Sequence, residues 1–352
     1  MWTLATMMRE SAGWLDASGP DSDVVLSTRI RIARNVDAVP FPDGASDDEL
    51  VAVRERILSS MSVSNYLKSA VLLRMEDTDP ITRRVMVERH MVSPCFESGG
   101  PGRAVVVGER ELISAVINEE DHLRLQCIRS GLMPVDAWRL VERVDSELER
   151  NLHYAFDSDW GFLTACPTNV GTGLRVSVLA HLPGLSRTGG ISRVLGSLSN
   201  LGLTVRGFYG EGSAAQGGFF QVSNQTTLGQ SEGDITNTVE RIAGQLSNLE
   251  REARAELLRA DGSRLEDDVW RALGVLTNAR MISAGEVMDL SSELRLGVAL
   301  DLIDWPDMPT LNRLLVVTQP GHLELSGAAG SSVRQMDVAR ANLVRGILAR
   351  VN

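Results

Sequence analysis

The chain has 352 residues, of which 43% are hydrophobic and 23% charged, a composition that can bury the cores of about two domains. Its formal net charge of -11 excludes general attraction to nucleic acid or to an anionic membrane, because both need clustered positive charge. No apolar run approaches the roughly 20 residues that span a bilayer, and the first 20 residues lack a signal-peptide core. The 3 cysteines form no CxxC pair, so we expect a cytoplasmic protein without a disulfide framework or zinc site.

The first predicted elements are strands and helices of one mixed domain. In Ser27–Arg31, two arginines alternate with isoleucine on a predicted strand and therefore project from one face. Apolar residues at helical spacing predict helices over Asp47–Met61 and Pro134–Tyr154. Runs rich in β-branched or aromatic residues predict further strands at Val85–Val87, Ala104–Val107, Leu112–Ile117, Leu174–Leu182, Leu203–Tyr209 and Phe219–Val222. Together these elements predict an antiparallel sheet backed by helices.

The remaining predicted elements are helical. Ser231 has the position of an N-cap before a long helix that runs through Leu257 and links two domains. From about Leu265 onward the pattern stays helical, with interruptions at Trp305-Pro306 and Thr318–Gly321, where proline and glycine disfavour helix continuation. We therefore predict a first domain at residues 1–258 and a small helical domain at residues 259–352.

Three separated segments carry charged side chains in a pattern that suits phosphoryl transfer. They are Ser27–Arg31, Asn118–Arg124 and Cys166–Arg175. Arginine holds phosphate groups through its fixed charge and forked geometry, while the paired glutamates of the second segment supply anions for a cationic acceptor. A solvated strand face would explain Arg29 and Arg31 alone, but the arginines of the other two segments favour a phosphate site. The sequence has neither GxxxxGK[ST] nor GxGxxG after a strand, so the site is neither a P-loop nor a Rossmann site.

These segments resemble the signature regions of the phosphagen kinases, and nearly the whole chain resembles the McsB-type protein arginine kinases. Further similar segments are Gly19–Leu26, Gly207–Ser213, Gln221–Gly229 and Leu315–Gly321. The resemblance implies an α+β phosphagen-kinase-like catalytic domain, in which an antiparallel sheet is flanked by helices, followed by a small α-helical domain. It also implies ATP as a substrate, with Mg²⁺ held mainly through the nucleotide phosphates and no metal ligands from the protein.

The same resemblance assigns the site residues. The nucleotide is implied to contact Arg29, Arg31, Arg124, Arg175 and, in the loop Ser186–Gly190, Arg187. Glu120 and Glu211 are implied to hold the acceptor guanidinium from two sides, with Cys166 as a reactive thiol beside it. Since an arginine side chain is protonated at neutral pH, a carboxylate has to orient it and accept a proton as the bond to phosphorus forms.

Three further positions concern histidines of the family pattern. His90 is implied to touch the nucleotide, and a structural histidine is an equal alternative. His122 is expected to orient its motif rather than to act as a base. Phosphagen kinases commonly carry a histidine four residues after the last signature arginine, and this chain has Leu179 there.

The helical domain carries an incomplete form of the family's phosphoarginine-binding pattern, Arg-Asp-x-x-Arg-Ala. Here Met336 replaces the first arginine, followed by Asp337 and Arg340. These two residues either contact the guanidinium and phosphate of a weakened pocket or belong to a charged helix surface. Both interpretations stay open.

The acceptor is expected to be arginine within a protein. Kinases of free guanidino compounds carry about a hundred residues before the first arginine motif, and their loops enclose the small substrate. Here that motif begins at Ser27, so we expect an open site. The alternatives are a free-arginine kinase and a phosphoarginine-binding adaptor without activity.

The resemblance also implies partners. These are protein substrates that present arginine, an McsA-type activator, a CtsR-type repressor and a ClpC-type unfoldase, in a stress response that marks proteins for quality control or degradation. Direct nucleic-acid binding and membrane binding are not expected, and a homodimer stays open.

Overall fold

The computed structural model of the chain describes residues 3–208, 216–327, 330 and 332–349. Its strands are β1 Val25–Arg34, β2 Val71–Arg74, β3 Ala104–Val107, β4 Ile113–Ile117, β5 Leu123–Ser130, β6 Phe156–Asp157, β7 Gly161–Phe162, β8 Leu174–His181, β9 Leu203–Arg206 and β10 Phe219–Asn224. The α-helices are α1 Leu4–Arg9, α2 Asp47–Ser62, α3 Pro80–Glu88, α4 Pro134–Glu149, α5 Pro183–Arg187, α6 Ile191–Asn200, α7 Glu232–Asn278, α8 Ala284–Ala299, α9 Met308–Val317, α10 Pro320–Leu325 and α11 Val333–Leu348.

Eight strands form one antiparallel sheet in the order β2-β3-β4-β5-β1-β8-β10-β9, and β6 and β7 form a separate hairpin. The central strand β1 shows why the sheet has two different faces. Its Ile30 and Ile32 are fully buried, whereas Arg29 and Arg31 project from the opposite face because side chains alternate along a strand. The predicted antiparallel sheet backed by helices is confirmed.

Helices cover the apolar face of the sheet. α4 presents Ala137, Val141, Val144 and Leu148 to the core at helical spacing, and all four are fully buried. α7 begins as predicted after Ser231, whose hydroxyl accepts a hydrogen bond from the N–H of Asp234 at 3.1 Å. Arg29 and Arg31 lie on the face opposite these helices.

The helical domain has a core of its own. It consists of Val269, Ala272, Leu276, Ile282, Val287, Leu294, Ile303, Leu311, Leu314, Ala341, Val344 and Leu348. The predicted interruptions are confirmed, because α9 begins after Trp305-Pro306 and α10 begins at Pro320. Within α7 the backbone leaves helical geometry at Asp261, three residues after the end of the predicted first domain at residue 258. The domain boundary itself stays a prediction.

Several secondary-structure predictions differ from the structure. Val85–Val87, predicted as a strand, lies in α3, where the side chain of Asp79 caps the helix by accepting from the N–H of Thr82 at 2.9 Å. This start signal outweighs the weak strand preference of three residues. α4 ends at Glu149 rather than at Tyr154, and β9 ends at Arg206, before the predicted end at Tyr209. The strands β2, β5, β6 and β7 were not predicted.

The two domains share a buried interface. An apolar cluster joins the N-terminal segment and the sheet to α8 and α9; it consists of Ala12, Trp14, Leu15, Leu26, Ile128, Leu179, Phe208, Phe219, Met288, Leu315 and Val316. A polar contact joins the same domains, with Nε2 of His181 2.7 Å from Oγ of Ser292. Within the described part of the chain, no helix is long and apolar enough to cross a membrane.

Candidate active site

Four predicted phosphate-binding arginines lie on one face of the sheet. Arg29 and Arg31 share a face of β1, and Arg31 lies directly opposite Arg175 on β8. On the other side of β1, Ala33 lies opposite Arg124 on β5. Because neighbouring strands are about 4.8 Å apart, this register brings the four half-buried side chains into one cluster.

Burial and mutual repulsion both act on this cluster. The pKa of Arg29 is lowered to about 10 by burial and then by the charges of Arg124 and Arg175. The pKa of Arg31 is lowered well below its ordinary value by burial and by Arg29, Arg124 and Arg175, although Glu119 opposes this shift. Like charges held together away from water are unfavourable unless an anion neutralises them. The cluster therefore suits a polyphosphate, whose oxygens accept paired hydrogen bonds from guanidinium groups.

Neutral side chains orient two of these arginines. Nη2 of Arg29 donates to Oε1 of Gln221 at 3.2 Å, and Nη2 of Arg175 donates to Oγ of Ser223 at 3.1 Å. Both partners lie on β10, the strand next to β8. A neutral acceptor fixes the direction of a guanidinium without cancelling its charge, so the positive potential of the cluster is retained for a ligand.

The paired glutamates of the second motif have different roles. Glu119 forms an ion pair with Arg124 and accepts a hydrogen bond from the hydroxyl of Ser93. Glu119 therefore points toward the arginine cluster, and contact of both glutamates with the acceptor stays a prediction. The sequence could not show which glutamate faces the arginines, because two adjacent identical residues differ only in the backbone conformation that directs each side chain.

Glu120 lies beside Cys166, as the predicted acceptor site requires. Cys166 lies close enough to lower the pKa of Glu120, and its Sγ is 3.0 Å from Oγ1 of Thr168. The pKa of Glu120 is raised by partial loss of hydration and by the carboxylates of Asp121 and Glu119, while Arg124 and Cys166 oppose the shift. A raised pKa makes this carboxylate a better proton acceptor.

Asp121 fixes the distance between the loops that carry Glu120 and Cys166. Its Oδ1 accepts from the backbone N–H of Ala165 at 2.7 Å and from Nδ2 of Asn35 at 2.6 Å. The loop of Glu120 is thus attached to the residue directly before Cys166. The sequence offered no sign of this link, because its partners lie far apart along the chain.

His122 holds the same motif in place. Its Nδ1 accepts from the N–H of Val36 at 3.1 Å, and its Nε2 lies 3.0 Å from the carbonyl oxygen of Pro40. Burial lowers the pKa of His122, which favours the neutral ring that these two contacts require. Both ring nitrogens are engaged within the protein, in agreement with an orienting residue.

A small cavity of about 20 Å³ borders the arginine cluster. It is lined by Trp14, Ser27, Arg29, His90, Ile128, Ser177, Leu179, Phe208 and Gln221. The ring of His90 lies between Trp14 and Phe208, at centroid distances of 5.6 and 5.3 Å. Burial and the charge of Arg29 lower the pKa of His90 to about 3, so the ring is neutral at physiological pH. The aromatic walls suit contact with a nucleobase, but the cavity has room for about one water molecule, so a base would enter only as these side chains move apart.

Sequence reasoning found only part of this pocket. Trp14 and Phe208 come from short irregular segments, and Leu179 lies on β8 among buried residues. No periodic pattern relates them. The one available signal was the resemblance, which pointed to His90 and to the position of Leu179.

The glycines before Arg175 serve the packing of the protein itself. Gly173 has a φ of +65°, and a Cβ there would lie 2.6 Å from the carbonyl oxygen of Ala33. Gly171 has a φ of +107°, and its Cβ would lie 2.5 Å from the carbonyl oxygen of Thr227. Both close contacts are to the protein's own backbone, in β1 and in the segment after β10, so these positions require glycine for packing.

The structure does not bring Arg187 into the arginine cluster. Its guanidinium forms an ion pair with Glu293 of α8 and lies 3.6 Å from Asp268 of α7. It is also the last residue of α5 rather than part of a loop. The partners are distant in sequence, so the local pattern gave no indication of them. Contact of Arg187 with the nucleotide stays a prediction.

Glu211 lies outside the described residues. The predicted phosphoarginine residues lie in the helical domain, away from the sheet. Arg340 is buried, which excludes a charged surface as its explanation, and it donates to the carbonyl oxygens of Thr318 at 2.8 Å and Ile282 at 2.9 Å. It also pairs with Asp337.

Among the residues that the structure describes, no group of three or more His, Cys, Asp or Glu could hold a metal ion.

Two protein-family models match the chain. The ATP:guanido phosphotransferase C-terminal catalytic domain matches residues 52–253, and the protein-arginine kinase McsB C-terminal domain matches residues 262–352. The first match covers most of the sheet, and the second covers the helical domain.

Several relatives are similar over nearly their whole length. The chain is 43% identical to a protein-arginine kinase of Moorella thermoacetica, covering 97% of this chain and 99% of the relative. It is 41% identical to the protein-arginine kinase of Bacillus subtilis, covering 95% and 92%. Among solved structures it resembles a lombricine kinase, with a TM-score of 0.60, 24% identity and coverage of 70% and 74% of the two chains. This last likeness concerns the fold.

Proposed function

Because the chain belongs to the ATP:guanido phosphotransferase family, and within it to the protein-arginine kinases, we propose that it transfers the γ-phosphoryl group of ATP to arginine side chains of proteins. One observation supports this most directly. Four guanidinium groups share a sheet face, and one of them, Arg124, lies close enough to influence the pKa of Glu120. This proximity supports a site that joins phosphate binding to acceptor binding.

The proposed reaction is an in-line transfer. A nitrogen of the acceptor guanidinium attacks the γ-phosphorus, the N–P bond forms, and the bond between the γ-phosphorus and the bridging oxygen breaks to release ADP. Glu120 orients the guanidinium and accepts the proton that the nitrogen loses. Glu211 is proposed to act from the other side, with Cys166 beside them. The arginine cluster stabilises the charge that spreads over the equatorial oxygens.

Mg²⁺ is proposed to bind with the nucleotide, held mainly through its phosphates. The cation would neutralise part of the phosphate charge, and the arginines would supply the remainder. The pocket of Trp14, His90 and Phe208 is proposed to receive the adenine, since it adjoins Arg29 and has aromatic walls.

Arginine within a protein is the proposed acceptor, supported by the similarity to the protein-arginine kinases of Moorella thermoacetica and Bacillus subtilis and by the match to the McsB-type helical domain. A free-arginine kinase would use the same catalytic residues, and no observation favours it. By the same resemblance we propose that the enzyme acts in the cytoplasm with an McsA-type activator, a CtsR-type repressor and a ClpC-type unfoldase in protein quality control.

The test compares acceptors. Purified full-length protein is incubated with ATP and Mg²⁺ and either free arginine or a mixture of unfolded proteins, and the acid-labile phosphate on each acceptor is measured. We expect phosphoarginine in the proteins and far less free phosphoarginine. Transfer to free arginine alone would overturn the choice of acceptor, and no transfer to either acceptor would contradict the proposed activity.

A further inference from the structure

The hairpin of β6 and β7 exposes two large aromatic side chains within ten residues before Cys166 along the chain. Phe156 is 60% exposed and Trp160 is 56% exposed. Exposed aromatic residues are costly to leave in water and are enriched where proteins bind one another. The hairpin therefore requires an explanation beyond the packing of the domain.

The hairpin is a rigid element. Oδ1 of Asp157 accepts from the backbone N–H of Asp159 at 2.8 Å and of Trp160 at 3.1 Å, which orders the turn. The ring of Phe162 packs edge-on against Phe156 at a centroid distance of 5.2 Å. Beneath it, Cζ of the buried Arg34 lies 3.5 Å from the centroid of the Phe162 ring. Because its supports are buried or hydrogen-bonded, the hairpin presents its aromatic side chains without the entropy cost of ordering a loop.

The hairpin is also attached to the acceptor site. After β7 the chain continues through Leu163, whose carbonyl accepts from Nδ2 of Asn35 at 3.1 Å, and through Ala165, whose N–H donates to Asp121 at 2.7 Å. Asp121 is next to Glu120 in sequence, and Cys166 comes directly after Ala165. Trp160 precedes Cys166 by six residues, a path of at most about 20 Å.

We propose that Phe156 and Trp160 form a docking surface for the polypeptide that flanks the acceptor arginine. The proposal rests on the proposed function and specifies its substrate: an unfolded or extended segment with an apolar side chain within about six residues of the target arginine, the reach of the hairpin. Continuity with the acceptor site favours this occupant over a second copy of the chain. The charge of the turn favours it too, since Asp157 and Asp159 suit a segment that carries cationic side chains.

The docking surface would add binding free energy to that of the guanidinium without changing the chemical step. The guanidinium binds at Glu120 and Cys166, while an apolar neighbour covers the aromatic rings and loses its own contact with water. A blocked single arginine has no such neighbour and gains nothing from the hairpin. The docking surface would therefore distinguish segments that expose apolar residues, as unfolded proteins do, from arginines on the polar surface of folded proteins.

The experiment compares two peptide substrates on three versions of the protein. Two unstructured peptides carry one arginine each and differ only in having leucine or serine near it. Steady-state kcat/KM is measured for the wild-type protein, for the double variant Phe156→Ala/Trp160→Ala, and for Trp270→Ala. Trp270 is 53% exposed on α7 in the helical domain and provides a matched exposed aromatic residue.

We expect wild type and Trp270→Ala to prefer the leucine peptide by about tenfold, and the double variant to lose this preference, mainly through KM. Equal use of the two peptides by the wild type, or an unchanged preference in the double variant, would overturn the docking surface while leaving the proposed function intact. A double variant that changes only the oligomeric state would instead assign the aromatic pair to contact between copies. Failure of the wild type on both peptides, with transfer to free arginine, would overturn the proposed function as well.

Discussion

The ring of His322 in α10 contacts the carboxylate of Glu88 at the end of α3, with Nδ1 2.7 Å from Oε2. The same carboxylate accepts from the N–H of Gly321 at 2.6 Å and from the N–H of His322 at 3.1 Å. All three contacts are buried, and they join the helical domain to the segment that carries His90, two residues after Glu88. One carboxylate thus links the helical domain to the wall of the proposed nucleotide pocket.

The first prediction concerns this contact. Glu88→Ala leaves two backbone N–H groups and one ring nitrogen without their acceptor, and each buried group left unsatisfied costs about 1–3 kcal/mol. We expect the free energy of unfolding to fall by about 3 kcal/mol in chemical denaturation and KM for ATP to rise. Glu88→Gln keeps an acceptor oxygen and serves as the control, with a smaller loss. Unchanged stability of the alanine variant would mean that the domains are held without this contact.

The second prediction concerns the arginine cluster. Arg175→Ala removes one of four phosphate-directed charges, and arginines that stabilise phosphoryl transfer contribute about 10³-fold or more to turnover. We expect a loss of that size in phosphoryl transfer, measured at saturating ATP, with little change in stability. Arg271→Ala is the matched control, because Arg271 is exposed on α7. Near-normal transfer by Arg175→Ala would remove this residue from the phosphate site.

The strand pattern predicted this cluster because alternation along β1 fixes which side chains share a face. The motifs containing Arg124 and Arg175 supplied the other members, although β5 itself was not predicted. The position of Arg187 was not predictable, because Glu293 and Asp268 belong to the helical domain and long-range ion pairs have no local signature. The aromatic pocket has the same origin, since its walls come from segments brought together only by the tertiary fold.

The third prediction separates the two neighbouring glutamates. Glu120→Gln should lower kcat by about 10²–10⁴-fold, the usual contribution of a positioned proton acceptor, and Glu211→Gln should behave alike. Glu119→Gln should instead raise KM for ATP, because Glu119 acts through its ion pair with Arg124. Steady-state kinetics with ATP varied at a fixed protein acceptor distinguish these effects. The same KM effect in both Glu119→Gln and Glu120→Gln would contradict the separation of roles.

The fourth prediction concerns the thiols. Burial raises the pKa of Cys127 to about 12, so at pH 8 only about one molecule in 10⁴ carries its thiolate, and we expect no alkylation before unfolding. Cys95 is exposed and should react in the native protein. Cys166 should also react, and ATP with a protein acceptor should slow its alkylation because Cys166 lies close enough to Glu120 to lower the pKa of that carboxylate. Mass spectrometry of peptides from timed reactions gives each rate, with Cys95 as the internal reference. Equal protection of Cys95 and Cys166 would indicate a global rather than a local effect.

The last prediction concerns the altered phosphoarginine pattern of α11. Arg340 is buried and donates to two carbonyl oxygens, so Arg340→Ala would destabilise the helical domain and give an ambiguous loss of binding. Met336 is only partly buried, and an arginine there can be added without removing these contacts. We expect Met336→Arg to tighten phosphoarginine binding by about 1.5–3 kcal/mol, the range for a hydrogen bond to a charged group.

Calorimetric titration of both proteins with phosphoarginine measures this difference, and titration with free arginine controls for the phosphate. Because Arg340 keeps its structural contacts in both proteins, a gain in affinity can be attributed to the new side chain. Binding by neither protein would mean that Asp337 and Arg340 serve only to hold α11 against Ile282 and Thr318, so that the helical domain acts through its interface with the catalytic sheet.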